Sequence, residues 1–242
     1  MQQQNSGYTE TALSLNDIRI SIVVPTYEAK GKGCFFLKRC LDSIVNQTYR
    51  NFEVVIADHS KDTAIKDMLS GYHQIDINHF FNDRGRGNSS INMNEGIKKA
   101  TGDVIKVLHF DDYFLNPNAL QLMSDLYQDQ NVKWGAFTFN HLRNGELIHT
   151  IVPSFQNTMG CPSTSFFIND KNDPIYFDEG LIIINDHDMH HMLREKYGEP
   201  SIITTLSITI GIHDDQVSNF ETSQAKESQE WEYFRNKINN KK

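Results

Sequence analysis

At 242 residues and 38% hydrophobic content, the chain is long enough to bury one large core, and its formal net charge of -8 excludes general attraction to nucleic acid phosphates. Three cysteines, Cys34, Cys40 and Cys161, form an odd set without CxxC spacing, which excludes a disulfide framework or a cysteine-rich zinc site. No apolar run approaches the roughly 20 residues that cross a bilayer, and the opening lacks the charged start and apolar middle of a secretory signal, so a cytoplasmic protein is expected.

Residues 1–17 are polar and read as a loose arm. The β-branched run "IRISIVVP", Ile18 to Pro25, reads as a strand stopped by proline, and "CFFLKRCLDSIVNQ" at 34–47 as a helix. The unit repeats: "NFEVVIADHS" is a strand ending on Asp58, and "DTAIKDMLSGY" is a helix. A strand near "INHFFN", the loop "DRGRGN", the helix "SSINMNEGIKKA" and the strand "DVIKVLHFDD" follow. This alternation predicts βαβ crossovers and a mostly parallel sheet with flanking helices. Ligands of such sheets bind beyond the carboxyl ends of the strands, so Thr26, Asp58, Asp111 and Asp112 form one candidate site. Taken alone, Asp111-Asp112 reads more readily as a solvated turn capping the next helix. In the loop, Arg84, Gly85, Arg86 and Gly87 combine close backbone approach with bidentate donors suited to a diphosphate; a solvent-exposed turn is the alternative.

After Pro117 the pattern becomes mixed. A helix "NALQLMSDLYQD" precedes two strands joined at Asn144-Gly145, a hairpin signal. "GCPSTSFFI", the helix "DHDMHHMLREKYG" and the alternating run "SIITTLSITIGI" lead to His213. The charged end, residues 222–242, reads as a helix docked by Trp231, Tyr233 and Phe234. His187 and His191 have the spacing of a zinc-hydrolase helix, but Asp188 stands where that motif needs a glutamate and no third ligand is evident.

Three motifs then align in order: "VVPTY" at 23–27, "NEGIKKATGDVIKVLHFDDYF", and "FDEGL" ahead of an acidic helix start and a final histidine. Together they resemble the inverting glycosyltransferases of family two, with the GT-A fold, over Ile20 to Ser218. The resemblance implies a nucleotide-diphospho-sugar transferase-like domain over 18–221, with a donor-binding half at 18–117 and an acceptor half at 118–221. It implies a UDP- or dTDP-sugar donor and a Mn²⁺ or Mg²⁺ ion that neutralises the leaving diphosphate. Asp111 matches the last aspartate of the Asp-x-Asp motif and is the implied metal ligand, joined by His213, with Asp112 beside it. His109 replaces the motif's first aspartate and places donor choice and metal dependence in question. Asp58 is implied for the base, Thr26 and Glu28 for base and ribose, and Asn94 for a position near the donor. Asp186, favoured over Asp188, is the implied general base. Polysaccharide or glycoconjugate synthesis on a glycan or lipid-linked acceptor, peripheral to a membrane-associated assembly, is implied by analogy. Loss of the first acid leaves a non-catalytic nucleotide-sugar-binding scaffold as the alternative.

Overall fold

The computed structural model describes residues 18–213 and 223–240. The expected arm at 1–17 and the expected boundary at 221–222 lie outside the described residues.

The first half is a parallel sheet built from β1 (Ile20–Thr26), β2 (Phe52–Asp58), β3 (Ile77–Phe81) and β4 (Val104–Val107), in the order β3-β2-β1-β4. All seven residues of both β1 and β2 are buried, because crossover helices cover both faces. Successive side chains alternate between those faces. Ile20, Ile22 and Val24 pack with Phe36, Leu37, Leu41 and Ile44 of α1 (Gly33–Val45), whereas Val23 and Val55 pack with Met93 and Ile97 of α3 (Ser89–Lys99). Gly96 brings α3 against β1: a Cβ there would collide with Cγ1 of Val23. The short α2 (Ala64–Leu69) completes this half.

The fourth strand ends at Val107 rather than at the aspartates. His109 to Asp112 instead form a turn, with the Asp112 N–H donating to the His109 carbonyl at 3.0 Å. Beyond it lie β5 (Tyr113–Phe114) and α4 (Ala119–Leu126).

The second half continues the same sheet in mixed sense. β8 (Ser165–Ile168) is antiparallel to both β4 and β6 (Trp134–Arg143), β9 (Ser201–Ile212) runs parallel to β6, and β5 is antiparallel on β9. β7 (Glu146–Ile151) forms the expected hairpin with β6 through Asn144 and Gly145, whose φ of +52° and +84° suit a primed turn. The sheet is therefore parallel in its first four strands and mixed beyond β4.

The terminal helix α6 (Ser223–Asn239) docks on α5 (Asn185–Tyr197) and the loop before it. Trp231 packs on His187 with ring centroids 4.9 Å apart, and Phe234 meets His191 at 5.5 Å. Tyr233 docks by its hydroxyl, donating to Asp178 at 3.0 Å. Lys237 bridges Asp178 and the fully buried Asp188, each at 2.8 Å.

On the inner face of α5, buried His190 shares a 2.6 Å hydrogen bond with Ser165 and stacks on Trp134. Burial depresses its pKa to about 3. The unfolded chain therefore binds a proton near pH 6.5 that the folded chain refuses, so stability present above that pH is lost as pH falls. By pH 5 this residue alone costs about 2 kcal/mol. Urea unfolding of His190→Gln should show a correspondingly smaller loss between pH 7 and 5; an unchanged acid loss would contradict a neutral, buried His190.

Candidate functional site

A cavity of about 640 Å³ opens along the carboxyl edge of β1, β2 and β4, within the usual range for small-molecule sites. Each strand end contributes differently. Thr26 closes β1 with its hydroxyl oxygen buried and without a hydrogen-bond partner among the described residues. Glu28 lies just beyond on the cavity wall.

At the end of β2 the alternation of side chains separates two neighbours. Asp58 points into the protein, where its carboxylate accepts from the Ser60 N–H at 2.8 Å and pairs with His79 at 2.9 Å. Burial raises its pKa, but the His79 and Ser60 hydrogen bonds outweigh that and hold it below the ordinary value. His59 faces the cavity instead. Asn92 of α3, also in the wall, donates to the carbonyls of Ala57 and Thr26 and locks the two strand ends together.

The loop after β3 separates its two arginines. With Gly85 and Gly87 at φ of +59° and +89°, Arg86 folds back over β2, donating to the carbonyls of His59 and Ser60, and lines the cavity. Arg84 turns outward into a forked pair with Glu179 and a contact to Glu95. Asn94 is likewise outside the cavity lining: its amide exchanges hydrogen bonds with the backbone of Phe177 at 2.9 and 2.8 Å and clamps that loop to α3.

The turn after β4 holds the acids. Asp111 lines the cavity with its Oδ2 3.0 Å from Nε2 of His213, which follows β9. Burial raises the Asp111 pKa, but the His213 hydrogen bond and the field of His109 together bring it below the ordinary value. Asp112 points the other way. Its Oδ1 accepts from the Gly211 N–H at 2.9 Å, and burial together with the charge of Asp111 raises its pKa to about 7. Arg39 of α1 donates to the Asp111 carbonyl and lies over the Tyr113 ring at 4.7 Å. Beneath the turn, fully buried Lys106 donates to the carbonyls of Val107, Ser163 and Ser165; burial lowers its pKa to about 7.

Asp186 reaches the cavity from the first turn of α5, and burial raises its pKa above the ordinary carboxylate value. Asp188 is committed to Lys237. The loop ahead of α5 is held by Glu230 of α6, whose carboxylate accepts the N–H groups of Ile182, Ile183 and Ile184 at 3.0, 2.8 and 3.1 Å. Ile182 and Ile183 form part of the cavity wall. His187 and His191 pack on Trp231 and Phe234 of α6 and, among the described residues, join no group of three ligands, which weighs against the zinc-hydrolase reading.

Residues 21–172 match the family model described as glycosyl transferase family 2. The chain belongs to this family. It is 24% identical over 156 residues to glycosyltransferase GlyA of Streptococcus pneumoniae serotype 4, covering 59% of this chain and 22% of that protein. It is 25% identical over 107 residues to a Campylobacter jejuni GalNAc(5)-diNAcBac-PP-undecaprenol beta-1,3-glucosyltransferase, covering 43% and 33%. The chain thus spans well under two thirds of these relatives. Among solved structures, S. aureus TarS 1–349 in complex with UDP superposes with a TM-score of 0.65 at 18% identity, covering 81% of this chain and 61% of that one. Mannosyltransferase PcManGT from Pyrobaculum calidifontis, in complex with GDP-Man and Mn²⁺, gives 0.56 at 16%, covering 81% and 56%. The GT-A-like α/β fold expected from the sequence is the fold observed. No helix among the described residues is long and apolar enough to cross a membrane.

The Lys237 clamp has a measurable consequence. Lys237→Met should leave Asp188 buried without its cation and cost about 3 kcal/mol in urea unfolding. The double variant with Asp188→Asn should recover most of that; additive losses would show that the pair is not coupled.

Proposed function

We propose that the chain is an inverting glycosyltransferase that passes a sugar from a UDP- or dTDP-sugar to a hydroxyl of a glycan or lipid-linked acceptor. The observation that carries this reading is the convergence of Asp111, His213 and Asp186 on one cavity at the carboxyl edge of the sheet. Asp111 Oδ2 and His213 Nε2, hydrogen-bonded at 3.0 Å, would together offer an oxygen and a nitrogen ligand to Mn²⁺ or Mg²⁺ once the proton between them leaves. Such an ion, when bound, neutralises charge on the leaving diphosphate.

The remaining roles belong to the chain itself. Residues 18–117 serve as the donor half, in which Thr26, Glu28 and His59 meet the base and ribose while Asp58, behind them, fixes the end of β2. Arg86 donates to diphosphate oxygens, and His109 borders the donor in place of the usual acid. Arg84, Asn94 and Asp112 shape the site from behind. Residues 118–221 serve as the acceptor half. From it Asp186 accepts the proton of the attacking hydroxyl, on the face opposite the leaving group, and its raised pKa brings the carboxylate closer to the basicity that this transfer needs. The pyrimidine preference is supported by the TarS complexes with UDP and UDP-GlcNAc, and a lipid-linked acceptor by the undecaprenol-linked relative. Such an acceptor places the protein at the periphery of a membrane-associated assembly.

Titration calorimetry of UDP, dTDP and GDP, with and without Mn²⁺, should show one pyrimidine nucleotide whose binding strengthens with metal. Asp111→Ala should lose that gain. Metal-independent binding unchanged in the variant would reduce Asp111 and Asp112 to a capping turn. With a competent acceptor, Asp186→Asn should lower kcat by about 10²–10⁴ while leaving donor affinity within a factor of two or so. Proton NMR of the first product formed should show the inverted anomer; a retained anomer would overturn the role given to Asp186.

A further inference from the structure

Behind the Asp111–His213 pair lies a second group of ligand-type atoms. One atom each from His109, Asp112 and Cys161 lies within 4.8 Å of the other two. Asp112 is anchored through Oδ1 to the Gly211 N–H, its carboxyl also takes a hydrogen bond from the Ser163 side chain, and the Cys161 thiol donates to Oδ2 at 3.6 Å. Nε2 of His109 is buried and has no hydrogen-bond partner among the described residues, an arrangement that costs free energy unless something occupies it. The His109 backbone is itself pinned by its N–H to Ser163 Oγ at 2.9 Å. His109 and Cys161 both border the cavity, with Asp112 closing the group from within.

We propose that His109, Asp112 and Cys161 form a second cation site, with nitrogen, oxygen and sulfur donors, that takes Zn²⁺ or a similarly borderline-soft ion in preference to Mg²⁺ or Mn²⁺. Three protein ligands with a fourth position open to solvent are the pattern of an accessible tetrahedral zinc site, and here that fourth position opens on the cavity. Tetrahedral ligands lie roughly 3.4 Å apart, so the group closes by about an ångström through rotation of the His109 and Cys161 side chains. On binding, the sulfur–hydrogen bond of Cys161 breaks, its proton passes to water, and the thiolate electron pair forms the bond to the metal. The thiolate sets the selectivity, since hard cations prefer oxygen ligands. The Gly211 N–H, already bonded to Asp112, acts as the outer hydrogen bond that orients a ligating carboxylate. This site is distinct in its ligands from the Asp111–His213 pair, which contains no sulfur, although the two share one turn and feel each other's charge.

Titration of the metal-free full chain with Co²⁺, read by absorption, tests this directly. A near-ultraviolet thiolate-to-cobalt charge-transfer band should grow to one equivalent and be displaced by Zn²⁺ but not by Mg²⁺. The band should vanish in Cys161→Ser and persist in both Cys34→Ser and Asp111→Ala. His109→Gln, which keeps the thiol, should weaken Co²⁺ binding by about tenfold or more, and decides the matter if Cys161→Ser fails to fold. No thiolate band, a band that survives Cys161→Ser, or unchanged affinity in His109→Gln would overturn the site. Each of these outcomes is independent of whether nucleotides bind.

Discussion

The junction at the end of β4 is the constraint on which the site depends. There the parallel half of the sheet meets the mixed half, and the buried amino group of Lys106 holds the seam. Lys106 ties the carbonyls of Ser163 and Ser165, at the start of β8, to its own strand. The Ser163 hydroxyl accepts the His109 N–H, and the Gly211 N–H of β9 donates to Asp112. Three segments distant in sequence are thereby fastened around one turn. An ammonium out of water is costly unless its hydrogen bonds are satisfied, and here carbonyls surround it while the rings of Phe114 and Phe137 lie 5.9 and 5.4 Å away.

A second dependence runs through α6. Among the described residues the last helix adds none to the cavity lining, yet its Glu230 satisfies three successive N–H groups immediately before α5, and its Lys237 pairs with Asp188 within α5. These contacts fix the start of α5 and hence the position of Asp186. Charge-assisted hydrogen bonds to backbone donors are short and directional, which makes them suited to setting the entry of a helix. The terminal helix thus acts on the site at one remove.

Much of the frame was legible before the fold was known. The β-branched runs at 20–26 and 52–58, the helical spacing after each, and the Asn144-Gly145 turn reflect local rules of burial and backbone geometry, and they formed where those rules placed them. The strand through "DVIKVLHFDD" stopped early because the His109–Asp112 turn gives the backbone other partners. The site was legible by region and only partly by residue. Asp58 and His59 are adjacent, and period-two alternation says that one must face inward; which one depends on His79 across the sheet. Arg84 and Arg86 look equivalent in the sequence, yet Glu179, far along the chain, takes the first.

The sequence by itself determined the α/β alternation, the polar carboxyl edge and the membership of a family, because these rest on local pattern and on motifs read in order. Asp186 and His213 were already singled out in the sequence, whereas tertiary structure alone decided that Asp188 turns to Lys237, Arg84 to Glu179 and Asp112 toward Cys161. The physical reason is long-range pairing: each of these side chains takes its direction from a partner tens of residues away, and no local rule names that partner.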